Sequence, residues 1–249
     1  MKITLIAPTY KRNDICNRLI NSVPDWINIV IVSLSDSTDI IRKPNVVIVD
    51  TAQMPLTNAF NFGVSIADKC FPETEAYLFT DDDVYFTEDT VIDNYIFSLL
   101  AKNDTGLVSI TRIINSVKRM NVAIQSNFVY KGGGWFIKKD VFHSIGKFTP
   151  YNSVDEWDIC IKSYINGYKN YRTRSCYAYH KQGTSKGGYK QALKENANLG
   201  NSQNDMLKYV NTTIVSPSGY EYYESDKTTK FNKLAVQMHT TNNFILNGN

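Results

Sequence analysis

Four short apolar, largely β-branched runs, at residues 3–7, 29–33, 46–49 and 76–80, have helical or loop segments between them. That alternation constrains the fold more than any other feature. A run of this length bounded by turn formers reads as a strand buried on both faces. Between the first two runs, residues 14–23 set Ile15, Leu19, Ile20 and Val23 along one helical stripe, and residues 57–70 repeat the pattern with Phe60, Val64 and Ala67. Strands joined through helices return to the same end of the sheet. The expected fold is therefore α/β, with a doubly wound, Rossmann-like, mixed but mainly parallel sheet flanked by helices.

The later sequence predicts a helix over 88–100, strands over 106–112, 127–130 and 133–138, a helix over 156–166 and a strand over 171–179. Beyond His180 the chain turns rich in Gly, Ser, Asn and Tyr and loses apolar periodicity, which suggests a lid and then a tail. One domain over 1–190, with 191–249 packed on it, is expected; no repeat or linker divides it. Pro217-Ser218-Gly219-Tyr220 reads as a turn, and Tyr220, Tyr222 and Tyr223 suit either an acceptor groove or a cover for the core.

Hydrophobic residues at 43% and charged residues at 20% are the proportions of a globular chain. With 27 Lys and Arg against 24 Asp and Glu, the net charge of +3 does not by itself call for a polyanionic partner. One stretch is locally basic. Residues 181–194 carry Lys181, Lys186, Lys190 and Lys194 with no acid, as a phosphate-facing segment or a solvated face would. Cys16, Cys70, Cys160 and Cys176 are dispersed without a C-x-x-C pair, so neither a zinc site nor a disulfide framework is signalled, and reduced, mostly buried thiols are expected. The apolar run at 3–7 is too short for a secretory signal, and nowhere do the roughly 18 apolar residues of a membrane span occur. A cytoplasmic location is expected.

The sharpest chemical signal is Thr80-Asp81-Asp82-Asp83-Val84, three carboxylates at the C-terminal end of a predicted strand. Ligand sites of open α/β sheets form at such ends. Adjacent like charges repel, and a divalent cation with its bound diphosphate would neutralise them. An acidic turn or helix cap is the alternative. On an extended backbone Asp81 and Asp83 would share one side and Asp82 would point away.

At these residues the chain resembles the family 2 glycosyltransferases, whose GT-A fold carries an Asp-x-Asp motif after its fourth strand. The resemblance covers about residues 1–190 and rests on several short motifs in the family's order. Ala7-Pro8-Thr9-Tyr10-Lys11-Arg12 looks like the opening loop that touches the nucleotide, which marks Pro8, Thr9, Tyr10 and Arg12 for the donor. Leu56-Thr57-Asn58-Ala59-Phe60-Asn61-Phe62-Gly63 resembles the family's Ala-Arg-Asn-x-Gly helix opening, with Asn61 and Gly63 retained and Phe60 in place of Arg. The family's base-contacting Asp has no clean counterpart in Ser33-Leu34-Ser35-Asp36. Uracil is the base most common in the family. The resemblance implies that Asp81 and Asp82 lie on the donor's ribose or diphosphate and that Asp83 binds the metal directly, Mn²⁺ or Mg²⁺.

Further along, the segment from Gly132-Gly133-Gly134-Trp135 to Phe142 is similar to the stretch that lines the donor sugar. Gly133 and Gly134 suit close ligand approach or a plain turn. Gly146-Lys147-Phe148 looks like the Gly-Gly-Phe that precedes the catalytic acid, and Val154-Asp155-Glu156-Trp157-Asp158-Ile159 falls where the family has Glu-Asp-x-Asp-Leu. The resemblance makes Glu156 the general base, Asp155 the second candidate and Asp158 a support; helix-dipole stabilisation is the plainer role for such acids. Trp135 and Trp157 are the candidate acceptor-contacting aromatics, with core packing as the alternative. His180 opens a stretch resembling His-x-x-Gly-x-Ser. It is a candidate metal ligand with Asp83, or a structural residue, and Lys186 in the following lid would face the diphosphate.

The sequence thus points to an inverting, metal-dependent transferase moving a sugar from a nucleotide-sugar to an acceptor, with a nucleotide-binding half over about 1–100 and an acceptor half over about 101–190. The acceptor could be a glycan or, given the basic, Tyr-rich late segment, a hydroxymethylated DNA base. A nucleotidyltransferase is the rival on a related fold, but Pro8-Thr9-Tyr10 lacks that class's opening glycines. A non-catalytic carbohydrate-binding protein is the third reading, and acids retained at both Asp83 and Glu156 argue against it.

Overall fold

The computed structural model describes residues 1–86, 94–113, 123–126, 129, 131–149, 155–180 and 244–246. Strands β1 (Ile3–Thr9), β2 (Asn28–Ser33), β3 (Val46–Asp50) and β4 (Ala76–Phe79) build the first half of one large sheet. β1 runs parallel to both β2 and β4, and β2 runs parallel to β3, so the spatial order is β3-β2-β1-β4. Helix α1 (Asn13–Ser22) crosses from β1 to β2, and α2 (Leu56–Cys70) from β3 to β4. The apolar stripes explain the placement. Leu19 and Ile20 of α1 join Leu5, Ile29, Ile31 and Leu78 in one buried cluster, while Phe60, Val64 and Ala67 of α2 join Ile6, Val30, Val32, Tyr77 and Phe79 in another. Because successive strand residues point to opposite faces, these alternating sets are the two sides of the sheet. Burying each Leu, Ile or Phe of this kind is worth about 1.5–3 kcal/mol.

Gly63 lets α2 approach closely: a Cβ there would lie 2.4 Å from Ile6 Cγ2 and 3.1 Å from Val32 Cγ2. The retained glycine of the α2 motif is thus required by helix-on-sheet packing.

The second half mixes strand directions. β8 (Gly134–Lys138) lies antiparallel between β4 and β6 (Thr105–Ile113), and β9 (Lys169–His180) runs parallel to β6. Beyond β9 come β7 (Ala123–Gln125) and, at the edge, β10 (Phe244–Leu246), paired antiparallel to β7. The two-residue β5 (Val84–Tyr85) pairs with the end of β9. Helices α3 (Asn94–Leu100), α4 (Lys139–Ser144) and α5 (Asp155–Ile165) complete the described elements.

Against the sequence reading, β1 extends two residues further, to Thr9, and the described part of the 88–100 helix begins at Asn94. β7 was not foreseen, because three residues carry too little pattern. Of the strand expected at 127–130, only Val129 is described, and it lies outside any strand. Three of the four cysteines are buried, and Cys70 is exposed. No helix among the described residues is long and apolar enough to cross a membrane.

Candidate active site

Chain order and spatial order diverge between β1 and β4: from β1 the chain runs outward through β2 and β3, then returns to the opposite side of β1. The strand order thus reverses at β1 and β4, and the C-terminal ends of the strands at such a switch point are where doubly wound sheets bind ligands. Thr9, Tyr10 and Arg12 leave β1 there, and Asp81, Asp82 and Asp83 leave β4 beside them.

The two loops are tied together by charge. The Thr9 hydroxyl donates to Asp82 Oδ2 at 2.7 Å, and the Arg12 guanidinium lies 3.1 Å from Asp82 Oδ1 and 3.4 Å from Asp83 Oδ2. Asp82 is only 6% exposed. Burial pushes its pKa up to about 6, against the opposing pull of Arg12 and the Thr9 hydrogen bond.

The extended geometry expected for the acids does not occur. β4 ends at Phe79, and the chain turns, with the Val84 N–H donating to Asp81 O at 3.3 Å. The turn sends Asp82 and Asp83 together toward Arg12 and turns Asp81 to the other side, where its Oδ1 lies 2.8 Å from Lys131 Nζ. Asp82 is accordingly a buried brace between β1 and β4.

Lys131 carries the second charge cluster. Its ammonium lies 2.9 Å from Asp155 Oδ2 as well as against Asp81, and its backbone N–H donates to Glu156 Oε1 at 2.8 Å. The rings of Phe60 and Trp135 stand 5.3 and 5.5 Å from Nζ. Burial, then the neighbouring Asp155 carboxylate, lifts Glu156 to a pKa of about 7, opposed by Lys131. A carboxyl so poised suits proton transfer near neutral pH.

Several expected ligand contacts are instead structural. Trp135 has no exposed surface, and its Nε1–H donates to Val129 O at 3.2 Å, so it packs in the core and stacks on no acceptor. Asp158 is likewise fully buried. It accepts the Thr149 N–H at 2.6 Å and its hydroxyl at 2.8 Å, and pairs with Lys162 at 3.0 Å, which leaves nothing for an acceptor. The Asn61 side chain donates to Phe148 O and accepts the Phe148 N–H, clamping α2 to the loop before α5. Tyr10 is buried, with its hydroxyl accepting from Gln53 Nε2 at 2.6 Å, and Pro8 is a buried residue of β1. At Gly133 a Cβ would meet Ala178 Cβ at 2.5 Å, and at Gly134, with φ of +139°, it would meet Leu78 Cδ1 and Phe79 O at 2.9 Å. These glycines permit close approach to β4 and β9. The glycine pattern carried no sign of which neighbour would come close.

No protein-family model matches the chain, and no curated protein matches it. Among solved structures it is similar to the Pyrobaculum calidifontis mannosyltransferase PcManGT in complex with GDP-Man and Mn²⁺, at 15% identity and a TM-score of 0.56 over 95% of this chain and 80% of that one. It is also similar to S. aureus TarS 1-349 in complex with UDP-GlcNAc, at 14% identity and TM-score 0.53, covering 87% and 74% of the two chains. A third is GalNAc-T7 with UDP, GalNAc and Mn²⁺, at 12% identity and TM-score 0.55, over 72% of this chain and 44% of that.

The chain has the GT-A fold. On this GT-A scaffold the described residues include no group of three or more His, Cys, Asp or Glu side chains arranged to hold a cation. The donor set still fits one. Small hard divalent cations are commonly held by one or two carboxylates plus a substrate's phosphates rather than by an all-protein cage. Five carboxylates (Asp81, Asp82, Asp83, Asp155, Glu156) face two cations, Arg12 and Lys131, an excess of three negative charges when all are ionised. The β5–β9 pairing sets the backbone of His180 directly across from Val84, the residue after Asp83.

The side chains of Trp157 and His180, and all of Lys186 with the basic segment 181–194, lie outside the described residues. Lys131 is the site residue that the sequence reading missed. Its only signal was its place immediately before the glycine triplet, and no periodicity marks a lone Lys as buried.

Proposed function

We propose that this chain is an inverting, metal-dependent glycosyltransferase that moves a sugar from a nucleotide-sugar, a UDP-sugar foremost, to a hydroxyl of a glycan or of a hydroxymethylated DNA base. The observation carrying this reading is that Asp81 after β4 and Asp155 at the start of α5 share one ammonium, that of Lys131, whose backbone N–H also holds Glu156. Donor-side and acceptor-side carboxylates therefore border one site. The similar solved structures, in complex with UDP-GlcNAc, with GDP-Man and Mn²⁺, and with UDP, GalNAc and Mn²⁺, support the substrate class.

In this reading Asp83, with His180, would hold the cation, which when bound supplies neutralisation of the donor diphosphate. Asp81 contacts the donor's ribose or diphosphate, and the braced loop of Thr9 and Arg12 shapes the nucleotide's seat. Glu156 takes the proton of the acceptor hydroxyl as its oxygen bonds to the anomeric carbon, and the bond from that carbon to the diphosphate breaks on the opposite face. The Asp155 carboxylate beside Glu156 raises its proton affinity.

Glu156→Gln tests the assignment. It should leave UDP or GDP binding with Mn²⁺ unchanged while lowering the transfer rate by roughly 10²- to 10⁴-fold. Weakened nucleotide binding with an unchanged rate would remove Glu156 from the chemistry.

A further inference from the structure

Lys131 is a buried cation to which no motif assigns a role. Its ammonium is shared by two carboxylates from different elements, Asp81 at the end of β4 and Asp155 at the start of α5, 2.8 and 2.9 Å away. Its own backbone N–H fixes Oε1 of Glu156 at 2.8 Å. One residue thus holds the acceptor-side acids both by charge and by the main chain, and ties them to the donor side. An ammonium carried into a site walled by Phe60 and Trp135 is tolerated only because carboxylates surround it.

We propose that Lys131 is the positioning residue of the site: the shared counter-ion that orients Glu156, keeps its carboxylate accessible near neutral pH, and couples it to Asp81. This rests on the reading of Glu156 as general base. Among the described residues, the charged groups facing Glu156 are Asp155 beside it on α5, Lys131 from the loop before β8, and Asp81 from the end of β4. Two of the three are acids, so among these groups Lys131 is the one that opposes a build-up of negative charge that would keep the base protonated. A cation a few ångströms from a carboxylate favours its ionised form by roughly one to three pH units. Occupation of Asp81 by a donor group would leave more of the Lys131 charge to Asp155 and Glu156, linking donor arrival to base readiness.

The test is NMR titration of the chain with ¹³C-labelled glutamate carboxyls, with the Glu156 signal assigned through Glu156→Gln. Lys131→Met should raise the Glu156 midpoint by about one pH unit or more, while Lys131→Arg, which keeps the charge, should hold it near the wild-type value. An unmoved midpoint in a folded Lys131→Met chain would overturn the proposal. If that variant does not fold, Lys131→Met/Asp155→Asn is compared with Asp155→Asn alone, and the same upward displacement is expected. Binding of UDP with Mn²⁺ is measured separately by calorimetry. Its absence would count against the glycosyltransferase reading, whereas the titration needs no ligand and decides the role of Lys131 either way.

Discussion

Glu156 Oε1 accepts the backbone N–H of Lys131 at 2.8 Å, which joins the first turn of α5 to the loop that enters β8. A backbone donor cannot rotate away as a side chain can, so this bond sets the direction of the carboxyl before any substrate arrives. The same carboxyl is lifted to about pH 7 by burial and by Asp155.

The first prediction concerns pH. Transfer should rise with pH as Glu156 loses its proton, giving an acidic limb in kcat with a midpoint near 7. Stability should move the other way. The native state keeps a proton on Glu156 between the ordinary carboxyl range and about pH 7, where the unfolded chain has released it, so stability falls as pH rises through that window. Glu156→Gln should abolish the acidic limb of the rate and weaken the stability dependence, leaving the share that Asp82, lifted to about 6, contributes in the same direction. A rate profile flat from pH 5 to 8 in the wild type would contradict this.

Arg12 supports a second prediction. Removing its guanidinium in Arg12→Met leaves Asp82 buried beside Asp83 without its cation. Breaking a buried pair by removing one partner costs about 3 kcal/mol, and the loss should be visible as a lowered melting temperature at pH 8. Asp82 already titrates near 6, and loss of Arg12 pushes it further up. At pH 5 the carboxyl can take a proton, and the destabilisation should shrink. Equal destabilisation at both pH values would argue against a buried, ionised Asp82.

Trp135 separates core from site. Trp135→Phe removes the indole donor to the buried Val129 carbonyl and leaves it only the weak Cys160 S–H donor at 3.5 Å, at a cost of about 1 kcal/mol, and the melting temperature should drop by a few degrees with nucleotide affinity unchanged. A wild-type melting temperature with altered ligand affinity would return Trp135 to the binding surface.

The sequence made the first four strands and the two helices between them legible because β1, β2, β4 and both helices bury apolar runs or stripes, while β3, an apolar run as well, lies at the sheet edge and is only partly buried. After the third parallel crossover β6, β8, β9 and α5 lie within two residues of their expected bounds, and only the shortest strands were hard to read. β7 and β5 are two or three residues long and held by partners distant in the chain, so nothing local announces them. Within the site, the sequence located the acids but misjudged their directions. A turn rather than an extended strand follows β4, and it pairs Asp82 with Asp83 on Arg12 and turns Asp81 to Lys131. Trp135, Asp158 and Asn61 occupy the positions that the motifs gave them, yet each is spent on internal hydrogen bonds, since a motif fixes where a residue sits and packing decides whether it is exposed. Lys131 escaped notice for the opposite reason. Its burial depends entirely on acids more than twenty residues away on either side, which meet it only in the folded chain.

The central claim is that the site at the C-terminal ends of β1 and β4 takes a nucleotide diphosphate through a cation held by Asp83. Calorimetric titration of UDP and GDP into the wild-type chain and Asp83→Asn, each with Mn²⁺ and with a chelator, tests it most directly. Nucleotide should bind the wild type with Mn²⁺, and affinity should fall at least about tenfold, or roughly 1.4 kcal/mol, on chelation or in Asp83→Asn. Binding that is indifferent to Mn²⁺ and to Asp83, or no binding of either nucleotide, would contradict the account.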